Sequence, residues 1–161
     1  MTQSFGILPS GEAATLYTIS NGNITASVTD YGATLVRLLV PDATGAVADV
    51  VLGLDDCNGY RTAKGSCGAT VGRSVNRIKN ATFLLNDATI QLSKNNGPHN
   101  LHSGPDVYPL RLWKAIKHTG TSVTFQLNSP DGDQGFPGNA VIHVTYELDC
   151  KNGLHICYDA L

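Results

Sequence analysis

Apolar and polar residues alternate in short runs along this chain, and Gly, Asn and Asp separate the runs. In NITASVTD, residues 23–30, Ile24, Ala26 and Val28 fall on one face of an extended segment while Thr25, Ser27 and Thr29 take the other. A period of two marks a strand with one face toward a core. The same alternation predicts strands at TLVRLLV from Thr34, AVADVVLG from Ala46, SVTFQL from Ser122 and AVIHVTYEL from Ala140. Ala69 to Val71 reads as a further strand that ends at Gly72. Helical spacing is never sustained without meeting Gly or Pro, so helix is expected only as one or two short turns near DDCNGY, residues 55–60. No internal repeat or low-complexity linker divides the chain, which predicts one all-β domain over residues 1–161.

The last run, LHICYDAL at 154–161, places Leu154, Ile156, Tyr158 and Ala160 on one face and His155, Cys157, Asp159 and Leu161 on the other. It stops in mid-pattern, so the expectation is an interrupted sheet whose open edge is covered by more chain or by a partner.

Composition narrows the partners. With 161 residues, 42% of them hydrophobic, and a formal charge of -2, the chain can bury a core without a metal or disulfide framework. Eleven Lys plus Arg against 13 Asp plus Glu leave no cationic run, so nucleic acid is not an expected partner. No apolar stretch approaches the ~20 residues that span a bilayer. The opening MTQSFGILPSGEA lacks the regions of a signal peptide, and a cytoplasmic protein without membrane contact is expected. Cys57, Cys67, Cys150 and Cys157 show no CxxC spacing and are expected as buried free thiols.

Two neighbouring segments stand out chemically: GRSVNRI at 72–78 and NNGPHNLHSG at 95–104. Asn76 and Arg77 combine an amide that donates and accepts with a planar fork of donors, which suits a substrate rich in hydroxyl oxygens. The plainer alternative is that Arg73 and Arg77 pair with acidic neighbours. In the second segment Leu101 is an apolar anchor between His99 and His102, either of which could move protons near neutral pH or be merely solvated. Two histidines three apart are one part of a metal site, but no third ligand or HExxH pattern accompanies them, so no metal is expected. SPDGDQGFPGN, residues 129–139, lacks the closing glutamate of a calcium loop and reads as a long hairpin connection packed down by Phe136 and Pro137. Residues 72–77 contain no GxGxxG or P-loop pattern.

Taken in order, GATVGRSVNRI (68–78), NNGPHNLHSG (95–104), RLWKA (111–115), LNSPDGDQGFPGN (127–139) and VTYEL (144–148), with the earlier VTDYGATLVRLLVPD (28–42), resemble the aldose 1-epimerase (galactose mutarotase) family. The resemblance implies a β-supersandwich, two large antiparallel sheets packed face to face, here incomplete. It also implies a hexose substrate such as galactose or glucose and no cofactor. By the same comparison Asn76 and Arg77 match the family's sugar-binding pair, and His102 matches the histidine of its LHG motif, with a supporting catalytic role. Arg73 and His99 are not expected to touch substrate. Two departures stand out: Ser103 precedes Gly104 where the family usually has two glycines, and VYPLRLW replaces the more usual charged residues before the tryptophan.

Interconverting anomers requires protonation of the ring oxygen and removal of the C1 hydroxyl proton, hence an acid and a base on opposite sides. In the family the acid histidine lies in an NLTNHxYFNL-like segment and the base glutamate nearer the C-terminus; neither segment occurs in these 161 residues. His118, His143 and His155 do not sit in that motif. The resemblance therefore leaves three readings: a truncated, weakly active or inactive epimerase; a noncatalytic carbohydrate-binding module; or a half-domain that pairs with another copy or a complementary C-terminal chain.

Overall fold

The turns between the alternating runs become hairpins, and consecutive strands pair with their neighbours. The computed structural model describes residues 1–161. Strands β1 (Thr2–Ile7), β2 (Ala13–Ser20), β3 (Thr25–Thr29), β4 (Thr34–Pro41) and β5 (Val47–Asp49) form an antiparallel five-stranded sheet in chain order. A short helix, α1 (Cys57–Thr62), follows in the DDCNGY region, its N-terminus capped by Asp56, which accepts the Gly59 N–H at 2.8 Å. Four short strands come next: β6 (Arg77–Ile78), β7 (Thr82–Leu85), β8 (Ala88–Gln91) and β9 (Asn100–Leu101), with β6 paired to β9 and β7 to β8. The second large sheet is the antiparallel meander β10 (Lys114–His118), β11 (Ser122–Ser129), β12 (Ala140–Leu148) and β13 (Leu154–Ala160). No helix is long and apolar enough to cross a membrane.

The two sheets enclose the main core. Ile19, Ile24, Ala26 and Val28 from the first meet Val123, Phe125, Leu127, Val144, Tyr146 and Leu148 from the second, with Tyr108 and Trp113 in the same cluster. The alternation in β3 is as expected, yet its polar face is buried too. Ser27 Oγ lies 3.1 Å from Thr18 Oγ1, and Thr29 Oγ1 donates to the Thr15 carbonyl at 3.0 Å. Polar groups can be buried there because each finds a partner. A second cluster of Phe5, Ala14, Leu16, Tyr31, Val36, Cys57 and Tyr60 packs α1 against the first sheet.

Polar links join the layers. The buried Tyr146 hydroxyl donates to the Ala33 carbonyl at 2.7 Å, and the Trp113 N–H donates to the Asp30 carbonyl at 2.8 Å. Gly32 has φ 72°, and a Cβ there would sit 2.4 Å from the Pro109 carbonyl oxygen, so the crossing needs glycine.

Several sequence expectations need correction. The run from Ala46 is a strand only over Val47–Asp49; the Asp49 carboxylate accepts the N–H groups of Leu38 and Val51 and takes over from the ladder. Ala69 to Val71 is not a strand, and the Thr70 N–H instead donates to the Gly32 carbonyl at 2.9 Å. All four cysteines are free thiols, but only Cys57 is buried; Cys67 and Cys150 fall in irregular segments and Cys157 on an outer strand.

Asp30 offers a test of this core. Its carboxylate accepts the Thr15 N–H at 2.8 Å, and burial at 8% exposure pushes its pKa up to about 6. A carboxyl whose folded pKa is raised favours folding most in its protonated form. Its contribution therefore declines as pH rises from about 4 toward 6 and stays low above that. Asp30→Asn keeps the acceptor for Thr15 and is expected to stabilise the protein at pH 7 on the order of 1–2 kcal/mol, with little gain at pH 4. Urea denaturation at the two pH values measures the difference.

Candidate functional site

The two suggestive segments meet as a narrow antiparallel ribbon. Arg77 of β6 faces Leu101 of β9, and Ile78 faces Asn100. Just beyond this pairing the His102 N–H donates to the Asn76 carbonyl at 3.0 Å, and the Asn76 N–H donates to His102 Nδ1 at 3.1 Å. With Nδ1 engaged as an acceptor, the proton of a neutral His102 ring sits on Nε2, which has no partner in the protein and remains a donor. The backbone is strained here. Asn76, His102 and Ser103 have φ of 61°, 53° and 71°, a region that non-glycine residues rarely adopt. Such strain persists only where neighbouring contacts impose it.

Those contacts come from residues with no assigned role in the sequence reading. The Asn95 side-chain amide grips the Leu101 backbone, donating to its carbonyl and accepting from its N–H, both at 2.7 Å. Asn96 accepts from Arg77 Nε at 2.9 Å, and Arg77 Nη1 lies 3.5 Å from Asn76 Oδ1, leaving the Nη2 amino group free. Ser103, buried at 2% exposure, accepts the Ser74 N–H at 2.7 Å and donates to the Ser74 carbonyl at 3.0 Å. Its hydroxyl therefore ties down the loop that carries Asn76, which gives the serine a purpose where glycine was expected. The doubled asparagine in NNGPHN was the available signal for Asn95 and Asn96.

Arg73 is part of the scaffold. Its guanidinium donates to Ser129 Oγ and to the carbonyls of Ser129, Pro130 and Pro137, binding the 129–139 connection to the GRSVNRI loop. That connection contains a short 3-10 turn and places Phe136 against Ala81 and Leu92 as expected, whereas Pro137 is exposed and contributes its carbonyl to Arg73 instead of packing the loop down. Neither Arg73 nor Arg77 has an acidic partner; the ion pairs involve Arg111, His143 and His155.

The candidate side chains do not share one enclosed pocket. His102 and Asn95 line a cavity of about 380 Å³ together with Tyr60, Arg61, Lys64 and Leu110. Arg77 lines a separate hollow of about 330 Å³ with Lys79 and His99, whose Nδ1 accepts the Asn80 N–H at 3.0 Å. His99 thus stands beside Arg77, closer to the candidate chemistry than its sequence position suggested. No group of three or more His, Cys, Asp or Glu side chains is placed to hold a metal ion. The assembled surface is an array of hydrogen-bond donors and amides without a neighbouring carboxylate, suited to orienting hydroxyl groups.

A serine at position 103 in left-handed backbone makes a specific prediction. Ser103→Ala loses both bonds to Ser74 and keeps the strain, at a cost of about 2 kcal/mol. Ser103→Gly loses the same bonds but relieves the strain and is expected to cost about 1 kcal/mol less than Ala. Chemical denaturation of the two variants checks the order.

Comparison with solved structures defines the class first. An aldose epimerase homologue from C. elegans superposes with a TM-score of 0.84 at 38% identity, over 90% of this chain and 45% of that one. The fold is thus the β-sandwich of the galactose mutarotases. Residues 15–161 match the aldose 1-epimerase family model, and the chain belongs to the aldose 1-epimerase family. The aldose 1-epimerase of Escherichia coli K12 is 34% identical over 99% of this chain and 46% of its own length. That of Haemophilus influenzae is 41% identical over 93% of this chain and 44% of its own length. The chain therefore spans about half the length of these relatives and corresponds to their N-terminal half.

Proposed function

We propose that residues 1–161 are the N-terminal part of one aldose 1-epimerase sandwich domain and carry the hydroxyl-orienting side of its cleft, for a hexose such as galactose or glucose in the cytoplasm. Asn76, Arg77 and His102 hold the sugar. The observation that carries this is the Asn76 N–H on His102 Nδ1, which leaves His102 Nε2 as a donor on the same ribbon as the free end of Arg77. An Nε2–H and a guanidinium fork can stabilise negative charge as it develops on sugar oxygens during ring opening. They do not by themselves supply the acid and base on opposite sides that anomer interconversion needs. Of the other imidazoles, His99 stands beside Arg77 with its Nδ1 accepting the Asn80 N–H, on the same side as the binding groups; His118, His143 and His155 belong to β10, β12 and β13, and no carboxylate bonds to Arg77 or His102. The 161-residue chain therefore binds aldose weakly and turns it over slowly or not at all.

Saturation-transfer NMR with D-galactose tests the binding. A signal is expected from the chain, and Arg77→Ala and His102→Ala are each expected to weaken it at least about tenfold, the loss of one charge-assisted or well-placed hydrogen bond. Binding unchanged in both variants would place the sugar elsewhere.

A further inference from the structure

The β6–β9 ribbon has two faces. Ile78 packs toward Ala81, Leu92 and Phe136, and Asn100 is fully buried, so the inner face belongs to the core. Alternation turns Arg77 to the outer face. The register that pairs Arg77 with Leu101 and Ile78 with Asn100, carried one residue further, sets Lys79 against His99. Arg77, Lys79 and His99 are the three residues that line the hollow of about 330 Å³, and no carboxylate is among them.

Two of the three are aimed by bonds made within this ribbon and its loops. Arg77 Nε donates to Asn96 Oδ1 at 2.9 Å, which orients the guanidinium and leaves Nη2 unpaired. His99 Nδ1 accepts the Asn80 N–H at 3.0 Å, so the proton of the neutral ring sits on Nε2 and is free to donate. His102 is held by the same device, with the Asn76 N–H on its Nδ1. Lys79 takes part in no ion pair. The adjoining cavity at His102 adds Arg61 and Lys64, again without a carboxylate. A chain with a formal charge of -2 thus gathers cations around its candidate site. Neutral hydroxyl groups call for no such excess. Two like charges in one hollow repel each other, and a bound anion removes that repulsion. A carboxylate is satisfied by the arginine fork alone, whereas donors on three separate side chains suit the tetrahedral oxygens of a phosphate monoester.

We propose, on the reading that Asn76, Arg77 and His102 hold a sugar, that this hollow is a phosphate subsite and that the aldose it serves is phosphorylated. A phosphate on the C1 oxygen would block ring opening, so the group is carried elsewhere on the sugar, as in a hexose 6-phosphate. Lys79 and His99 touch only the phosphate, and Arg77 lies between it and the ring.

NMR titration of the 161-residue chain with D-galactose 6-phosphate and with D-galactose tests this. The phosphorylated sugar is expected to bind at least about tenfold more tightly at low ionic strength, and the advantage is expected to shrink in about 0.5 M salt. Lys79→Ala, and His99→Asn, which keeps an acceptor for the Asn80 N–H, are each expected to cut that advantage at least about threefold. Both should leave galactose affinity unchanged, which also shows that they fold. Inorganic phosphate, read by phosphorus line broadening, is expected to bind more weakly and to be lost in the same two variants. Equal affinity for the two sugars, an advantage or a phosphate signal retained in both variants, or an equal gain from D-galacturonate, whose C6 is a carboxylate, would each overturn the proposal. Galactose binding left intact by Arg77→Ala and His102→Ala would instead overturn the sugar-binding reading, a result that the Lys79 and His99 variants cannot produce.

Discussion

Trp113→Ala is expected to destabilise the protein by about 3–5 kcal/mol, a large share of the roughly 5–15 kcal/mol that holds a typical domain together. Trp113 is 3% exposed and lies in the cluster enclosed by the two sheets. Its ring meets Tyr108 edge-on at 6.0 Å and 86°, its indole N–H donates to the Tyr108 carbonyl at 3.3 Å, and its backbone N–H reaches Asp30. Truncation therefore removes apolar burial, leaves a cavity and strips an aromatic partner from Tyr108. Trp113→Phe keeps most of the burial and is expected to cost less than half as much. Urea melts of the two variants decide the point, and a loss below about 1 kcal/mol for Ala would show that the sheets do not meet at this residue.

Asp133→Ala is expected to cost about 2–3 kcal/mol, somewhat below the usual loss for breaking a fully buried ion pair, because the Arg111–Asp133 pair is half-buried. Both carboxylate oxygens of Asp133 accept from Arg111 at 2.8 Å, and Ser129 Oγ also donates to it. Arg111 in turn lies over the Tyr108 ring at 5.1 Å, so the pair anchors the 129–139 connection to the segment that leads into Trp113. Removing the acid strands a guanidinium whose side chain is only 14% exposed, with Asp106 as its remaining carboxylate partner. The hydrogen bonds from Arg111 hold the Asp133 carboxyl below its ordinary range. A depressed carboxyl contributes its stability above the unfolded pKa of about 4 and loses it as pH falls further. This sign is opposite to that of Asp30, so acid unfolding below pH 4 should weaken in Asp133→Ala while the Asp30→Asn variant retains it. Arg111→Met combined with Asp133→Ala should recover part of the loss, because the only charge then left without its partner is that of Asp106, which is solvent-exposed.

The sheets were legible because period-two alternation is imposed by the strand backbone itself, and β3, β11, β12 and β13 show it directly. Ala69 to Val71 misled because Ala, Thr and Val suit a loop crossing the sheet, with Thr70 buried, as well as they suit a strand. The exposed cysteines misled because exposure depends on where the irregular segments and the last strand fall, which short-range pattern does not encode. Asn76 and His102, which motif matching singled out separately, stand one hydrogen bond apart in the structure. Motif matching could not show that Asn95, Asn96 and Ser103 hold them there, since those bonds connect residues that are 6, 19 and 29 positions apart. Nor could it separate the hollow of Arg77 from the cavity of His102, which depends on side-chain direction across a two-residue ribbon.

Polarimetry of freshly dissolved α-D-galactose, on protein shown by NMR to bind the sugar, tests most directly whether this chain orients aldoses without supplying the acid and base. The expected result is the spontaneous drift in rotation, unchanged as protein is added. Rapid equilibration in proportion to the concentration of the 161-residue chain would contradict the account and require a proton donor and acceptor within these residues.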